Sequence, residues 1–440
     1  MGLFSPSRRP CDVIALPPQP VLWKFSFDNR YIFSHKNEGF FFQPLSVDDP
    51  QSPSHVITYA VAEERECNEL LLLVHHLSGV NDFLAHFDQH HVVLDDCFHA
   101  FDFIICADWV GLIYELNGTP PNSAAPTAQP CWCCAITKQV LKLEWWENPF
   151  TEHHVRNDID CFPRASLPSV PLHKRRYCWM HGVTRMLSHL IYLLYFMLPT
   201  TGTKQKQFLQ VVQKISPKWL PHPKKSALQA KQMKHFIRTD HAHHIVAIFD
   251  DLAPFPGIKW PLPERELNLS PRAQCDAVFD AARVYHDFAY TKWPSQQAFT
   301  SLWQARTLLL GFLAANRKPL TPTFHYMTNE AVYFAAHDGT AYFTLQEAIE
   351  HQNHLDKLDV QHTTAAPVAL SRFQSRWQQL LHYQALVRAV RALVQTQAIT
   401  THSRLLMSVH DVSPLMAIPA LLQRPRYFDA FAPIAISSHV

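Results

Sequence analysis

The sequence predicts an α+β protein, strand-rich to about residue 160 and mostly helical beyond it. Three observations carry that expectation. Over residues 21–42 (VLWKFSFDNRYIFSHKNEGFFF) β-branched and aromatic residues alternate with polar ones around Asp28-Asn29 and Asn37-Glu38-Gly39, as in a strand meander. Past the prolines at 163, 168 and 171 the apolar residues recur at helical spacing instead. With 47% hydrophobic and 17% charged residues over 440 positions, the chain can bury a large core in two domains or one big one.

In order along the chain, residues 55–62 (HVITYAVA) predict a further strand, and 63–77 predict a helix on Leu70, Leu71, Val74 and Leu77. Residues 100–116 (AFDFIICADWVGLIYEL) predict one long buried strand or two shorter ones. They run into the proline-rich loop 117–130, after which AITKQVLKLEWW alternates like a strand. Helices are expected over 182–198, 203–215 and 226–238, with a strand over 243–251. Residues 252–271 hold five prolines and predict a linker. Beyond it come helices over 272–290, 296–316, 344–354 and 372–397, a short strand over 405–410 and a last helix over 415–422. The expected organisation is a strand-rich 1–160 with a Cys/His cluster, a basic helical 161–251, the linker 252–271, and a helical 272–440.

Several function classes are disfavoured by composition and motif. Ten glycines against thirty-three prolines leave few turns of positive φ, and neither GxGxxG nor GxxxxGK[ST] occurs, so a glycine-loop nucleotide site is not expected. GxSxG and HExxH are missing too. The N-terminus lacks the apolar stretch of a secretory signal, and ten cysteines form no disulfide framework, which points to reduced thiols in cytosol or nucleus. The longest apolar run, 186–198, is too short to cross a bilayer and reads as a buried helix, so no membrane partner is expected.

Residues 131–134 (CWCC) put three cysteines into four positions. Zinc takes four thiolate, imidazole or carboxylate ligands in a tetrahedron, and Cys-x-Cys or Cys-x-His pairs deliver two of them from one loop. Two such pairs occur: Cys97-Phe98-His99, and Cys131-Trp132-Cys133 with Cys134 adjacent. Cys106 lies between them and could replace one member. The same residues fit buried core thiols. A redox pair is the third option, through the Cys131 to Cys134 CxxC spacing. The histidines at 86 and 90, and at 241, 243 and 244, are expected to be ordinary ones, because twenty-eight histidines make such pairs by chance.

Charge is distributed unevenly. Residues 161–239 hold fourteen Lys or Arg and no Asp or Glu, leaving 25 basic against 37 acidic residues elsewhere. Such a segment either faces an anionic partner, RNA among them, or is balanced by acidic neighbours in the fold. Trp179, Tyr192 and Trp219 are candidates for stacking on bases. Over 383–395 (YQALVRAVRALVQ), Leu386 and Val390 share an apolar helix side while Arg388 and Arg391 fall opposite, giving an arginine face for partner docking or an ordinary surface helix. Residues 405–414 (LLMSVHDVSP) resemble the metal-binding start of polysaccharide deacetylases, with His410 and Asp411 as the pair, but no HxxxH follows them.

Four pieces, taken in order, resemble the adenovirus early-region-four 34K family, the open-reading-frame-six type of protein. They are Cys97-x-His99 with CWCCAITKQVLKLEWW, HLIYL at 189–193, ALVRAVRALV at 385–394, and ALLQRPRYFD at 420–429. The resemblance covers mainly 90–198 and 375–430. It implies a viral regulatory adaptor of the host nucleus and cytoplasm, without enzymatic activity. Such an adaptor recruits a host cullin ubiquitin ligase through elongins. With a large early-region-one-B partner it directs degradation of host DNA-damage and tumour-suppressor proteins and favours export of late viral messenger RNA. The family's zinc ligands would map onto Cys97, His99, Cys131, Cys133 or Cys134, and its arginine helix onto Arg388 and Arg391. The family's elongin-binding helix ends in a cysteine that Ser301-Leu302 and Thr344-Leu345 do not have, and the chain is longer and poorer in cysteine than typical members. The alternative from another class is a nucleic-acid-binding regulatory protein using 161–239.

Overall fold

Strand pairing at the start of the chain sets the frame on which everything else packs. The computed structural model describes residues 21–354, with short breaks of which 63–70 and 118–124 are the longest, and 434–436. Two long strands, β1 (Val21–Ile32) and β2 (His35–Pro44), pair antiparallel in the register Phe25↔Phe42 and Phe27↔Phe40. The polar pairs Asp28-Asn29 and Asn37-Glu38-Gly39, expected to mark turns, face each other inside this ladder. β3 (Ile57–Ala62) continues the sheet antiparallel to β2, and β4 (His91–Leu94) pairs antiparallel with the first third of β5 (Cys97–Ala107). β5 runs parallel to β1 over residues 101–106 and ends beside the short parallel β6 (Arg175–Tyr177). A further strand at Ile434–Ile436 runs parallel to β3. This mixed N-terminal sheet, followed by mostly helical chain, is the α+β architecture that the sequence predicts.

Period-two alternation separates the two faces of the sheet. Phe25, Phe27, Phe40, Phe42 and Ile105 enter the main core, and Phe41 and Ile104 point the other way. That second face is covered by residues 341–349, whose Phe343, Ala348 and Ile349 pack on it. Lys24 Nζ donates to Leu345 O there, Cys106 Sγ donates to Thr344 O at 3.2 Å, and Gln346 donates to Cys106 O at 3.1 Å. Both faces being buried, the polar Lys24 and Ser26 on the second side of β1 are as inaccessible as the phenylalanines on the first.

Helices α1 (Val80–Ala85) and α2 (Trp109–Leu116) flank β5 in sequence. The expected strand over 100–116 therefore stops at Ala107. Asp108 caps α2 by accepting from Gly111 N at 2.7 Å, and all of Trp109–Leu116 except Val110 and Tyr114 is buried, so no amphipathic stripe marks the helix. The alternation over 135–146 likewise deceives. Residues 140–147 form a wide π-helical turn, Val140–Glu144, followed by a tight 3-10 turn, Trp145–Glu147, and these bury Leu141 and Trp145 four apart. The strand expected over 243–251 is helix α6 (His241–Val246) and a turn at Ala247–Phe249, since a short buried apolar run has no distinguishing period.

Long amphipathic helices fall where expected: α3 (Trp179–Met197), α4 (Thr203–Ile215), α5 (Ala230–Arg238), α7 (Pro271–Ala289) and α8 (Gln296–Ala315). The expected linker 252–271 contains a hairpin, β7 (Ile258–Trp260) with β8 (Arg265–Leu267), docked on α8. Gly311 makes that approach possible: a Cβ there would lie 2.0 Å from the Lys259 carbonyl oxygen. Two helices that the periodicity does not single out, α9 (Pro322–Thr328) and α10 (Glu330–Asp338), follow α8. Residues 347–354 are helical as expected. One hydrophobic core runs from the sheet through α3, α7, α8, α9 and α10.

Candidate metal centre

Cys131, Cys134, His325 and Glu330 converge in the interior, each offering a ligand atom within 4.8 Å of the others. The thiols come from a loop closed by the Lys138 amide donating to Ala128 O (2.8 Å) and by the Arg156 amide donating to Cys133 O (2.6 Å). His325 and Glu330 come from two helices that meet at Asn329. Thr321 caps α9, accepting from Phe324 N at 3.1 Å, with Pro322 at the first helical position. Asn329 ends α9 and starts α10, so the chain turns between His325 and Glu330 and both side chains face inward.

Distances decide what the cluster could hold. Cys134 Sγ lies 3.2 Å from His325 Nε2, His325 Nε2 lies 3.2 Å from Glu330 Oε1, and Cys131 Sγ lies 3.7 Å from Glu330 Oε1. Around a tetrahedral zinc, ligand atoms are separated by about 1.6 times the bond length, roughly 3.3–3.7 Å for imidazole, carboxylate and thiolate donors. Three of the six donor separations thus lie close to the edges of such a tetrahedron, and the others are within 4.8 Å. Glu330 Oε2 is buried with no hydrogen-bond partner, an atom that a cation would satisfy. The group could hold a metal ion.

Electrostatics agree with the geometry. Hydrogen bonds from Cys131 and His325 outweigh burial and hold the Cys134 thiol down at about 7. Burial, the bond to Cys134 and the Glu330 charge push Cys131 well above the ordinary thiol range. Burial alone would lower His325, but the Glu330 carboxylate and Cys134 carry it up to about 10, and His325 in turn keeps Glu330 below the usual carboxylate value. Above about pH 7 the metal-free cluster therefore carries one thiolate, one carboxylate and one imidazolium, net −1. With both thiols ionised and the imidazole neutral, a divalent ion leaves the same net −1, standing in for the protons of Cys131 and His325.

The surroundings fix the donors and close the site. The Asn329 amide nitrogen lies 2.9 Å from His325 Nδ1, and Arg306 donates to Asn329 Oδ1 at 3.0 Å, so Asn329 packs against the imidazole from the side away from the other three donors. Trp132, between the thiols, packs on Tyr326, which also meets Trp109 and Tyr177 with centroids 5.6–5.7 Å apart. A cavity beside Tyr326 and Ala331 holds about 10 Å³, room for one water at most.

Of the residues expected to bind metal, Cys131 and Cys134 join this group. Cys133 is buried beside them but outside it, its thiol raised by burial and the Glu330 charge. Cys97 and His99 begin β5, opposite Leu94 and Val92 of β4. Tyr177, whose amide donates to Tyr326 OH at 3.3 Å, pairs with Ala107 at the other end of β5, about 33 Å of strand away at 3.3 Å per residue. The Cys97 and His99 side chains lie outside the described residues, as do Leu386, Arg388, Val390, Arg391, His410 and Asp411. Cys106 faces Thr344 and takes no part. The His241 ring lies 4.9 Å from that of His235, tilted by 48°, and 6.0 Å from that of His244. Among the described residues no other group of three or more such side chains converges. His325 and Glu330 carried one sequence signal, the Thr321-Pro322 helix start ahead of them. Compared with known proteins, the chain matches no family model and no curated sequence.

Proposed function

We propose that this chain is a non-enzymatic adaptor of the adenovirus early-region-four 34K type, held together by a zinc ion at Cys131, Cys134, His325 and Glu330. Two thiolates, an imidazole and a carboxylate suit zinc better than calcium or magnesium, which take oxygen ligands. The supporting observation is that the cysteine pair comes from the CWCC element that carries the resemblance, and that its donor set is complete and sealed. Four protein ligands with no open position are the arrangement of a structural zinc site; a catalytic one keeps a place for water or substrate. Function would then rest on surfaces: an elongin and cullin ligase on one, a large early-region-one-B protein on another, in the host nucleus.

Metal analysis of the purified full chain tests the centre. About one equivalent of zinc is expected, lost in Cys134→Ser and retained in Cys133→Ser. Metal-free protein with Cys131 and Cys134 joined as a disulfide would replace zinc by the redox reading. Affinity purification from cells at high salt tests the adaptor role separately: elongin and cullin subunits should co-purify, and their consistent absence would overturn it.

A further inference from the structure

Fourteen cationic side chains lie between residues 161 and 239, without one carboxylate among them. The fold neutralises part of this charge. Arg175 pairs with Glu115, Arg176 with Asp338, Lys174 with Asp102 and Lys234 with Glu347, and Lys204 donates to Asp250 O. Lys206, Lys214, Lys218, Lys225 and Lys231 remain exposed.

Three of these lysines cluster near one end of α4. The helix buries Phe208 and Val212, and its outer side carries an open depression of about 500 Å³ lined by Gln207, Gln210, Val211, Gln213 and Lys214. Gln213 donates to Trp219 O at 3.0 Å, which draws the 216–225 turn, with Lys218 and Lys225, against the Lys214 end. Leu220 N donates to Lys225 O at 3.2 Å and closes that turn. An aromatic group adjoins it. Phe196, 48% exposed, packs on Tyr192 at 4.8 Å and on Tyr195 at 5.2 Å, and Tyr195 reaches Trp219 at 6.0 Å. Trp179 and Trp219, expected from the sequence to stack on bases, are buried, and Phe196 is the ring left open. Asp250, paired with Arg272 at 2.8 Å, and the exposed Asp251 bound the region beyond Lys204.

We infer that this face binds single-stranded nucleic acid, with Lys214, Lys218 and Lys225 on phosphates and Phe196 against a base. Cationic groups beside an open ring are what an unpaired strand uses, because its bases expose faces that a duplex hides. Glutamine amides both donate and accept, which suits base edges, and the open Phe196 ring offers a stacking face that a chain of aliphatic carboxylates does not use.

Fluorescence anisotropy of the full chain with a labelled uridine 20-mer tests the inference, alongside the same strand in a duplex and a polyglutamate peptide. Three phosphate contacts predict a slope of log K against log salt of about −2. Exchanging Lys214, Lys218 and Lys225 for Gln should flatten the slope by about that amount, whereas Lys142→Gln, an exposed lysine on the 140–144 turn, should leave it unchanged. Phe196→Ala should weaken binding about tenfold with the slope unaltered. Thermal melts establish that each variant stays folded. Equal affinity for polyglutamate, or binding indifferent to both the lysine and the Phe196 changes, overturns the inference without touching the adaptor reading, which rests on the ligase pull-down.

Discussion

His75 shows at the scale of one residue how position sets chemistry. Its ring lies 5.7–6.2 Å from those of Phe25, Phe27 and Phe40, and Nδ1 meets Ser166 Oγ at 3.0 Å. Burial, outweighing the Ser166 hydrogen bond and helped by the charge of Arg175, lowers it from 6.5 to about 3. The folded chain then binds fewer protons than the unfolded chain between those values. Stability present above about pH 6.5 is lost as pH falls toward 3. Urea unfolding should show wild type losing about 2 kcal/mol relative to His75→Phe between pH 7 and pH 5. Neither this value nor the choice between Cys133 and Cys134 as ligand can be read from neighbours in sequence. CWCC announces thiol chemistry, and only the side-chain directions sort its members.

At the scale of elements, long helices were legible and short ones were not. α7 and α8 present apolar stripes over five turns, enough for the period to show. α2, α9 and α10 are seven to nine residues long and buried on most sides, so no stripe exists to be read. The hairpin at 258–267 was hidden in the same way: proline content suggests a linker, while the decisive fact is a glycine on another helix. With Lys259 O 2.0 Å from where a Cβ would sit, Gly311→Ala has no flexible side chain to displace, only backbone. It should destabilise the protein by about 3 kcal/mol in urea unfolding, the upper range for overpacking. A change under 0.5 kcal/mol would show that the hairpin is not held there.

At the scale of the molecule, charge and chain closure dominate. Arg175 is fully buried and all five of its donors are used: two on Glu115 (2.6 and 2.7 Å) and the others on the carbonyls of Leu167, Val170 and Pro171. A buried pair of this kind gains little over apolar packing, but breaking it strands a charge. Arg175→Met alone should cost about 3–5 kcal/mol, and Glu115→Leu added to it should recover most of that loss, read by urea unfolding. Half of the question posed by the basic segment is thereby answered: some of its charge is an internal matter, and of the exposed remainder Lys206, Lys214, Lys218 and Lys225 lie on α4 and the turn after it, with Arg164, Arg185 and Lys231 elsewhere. A metal held at the cluster would act at this scale as well, tying Cys134 to His325 across 191 residues of chain. Closing so long a loop restricts the unfolded chain most.

Sequence alone determined what depends on period and composition: an alternating N-terminal half, helices at 3.6-residue spacing after it, the uncompensated basic stretch, and thiols gathered at 131–134. The tertiary structure decided what depends on meeting across distance. It chose His325 and Glu330 as companions of Cys131 and Cys134, spent Arg175 and Arg176 on Glu115 and Asp338, and buried Trp219 while leaving Phe196 open. The physical reason is that periodicity reports which side of an element is apolar. The partner of a polar group some 190 residues away is set by how packed elements bring the two together.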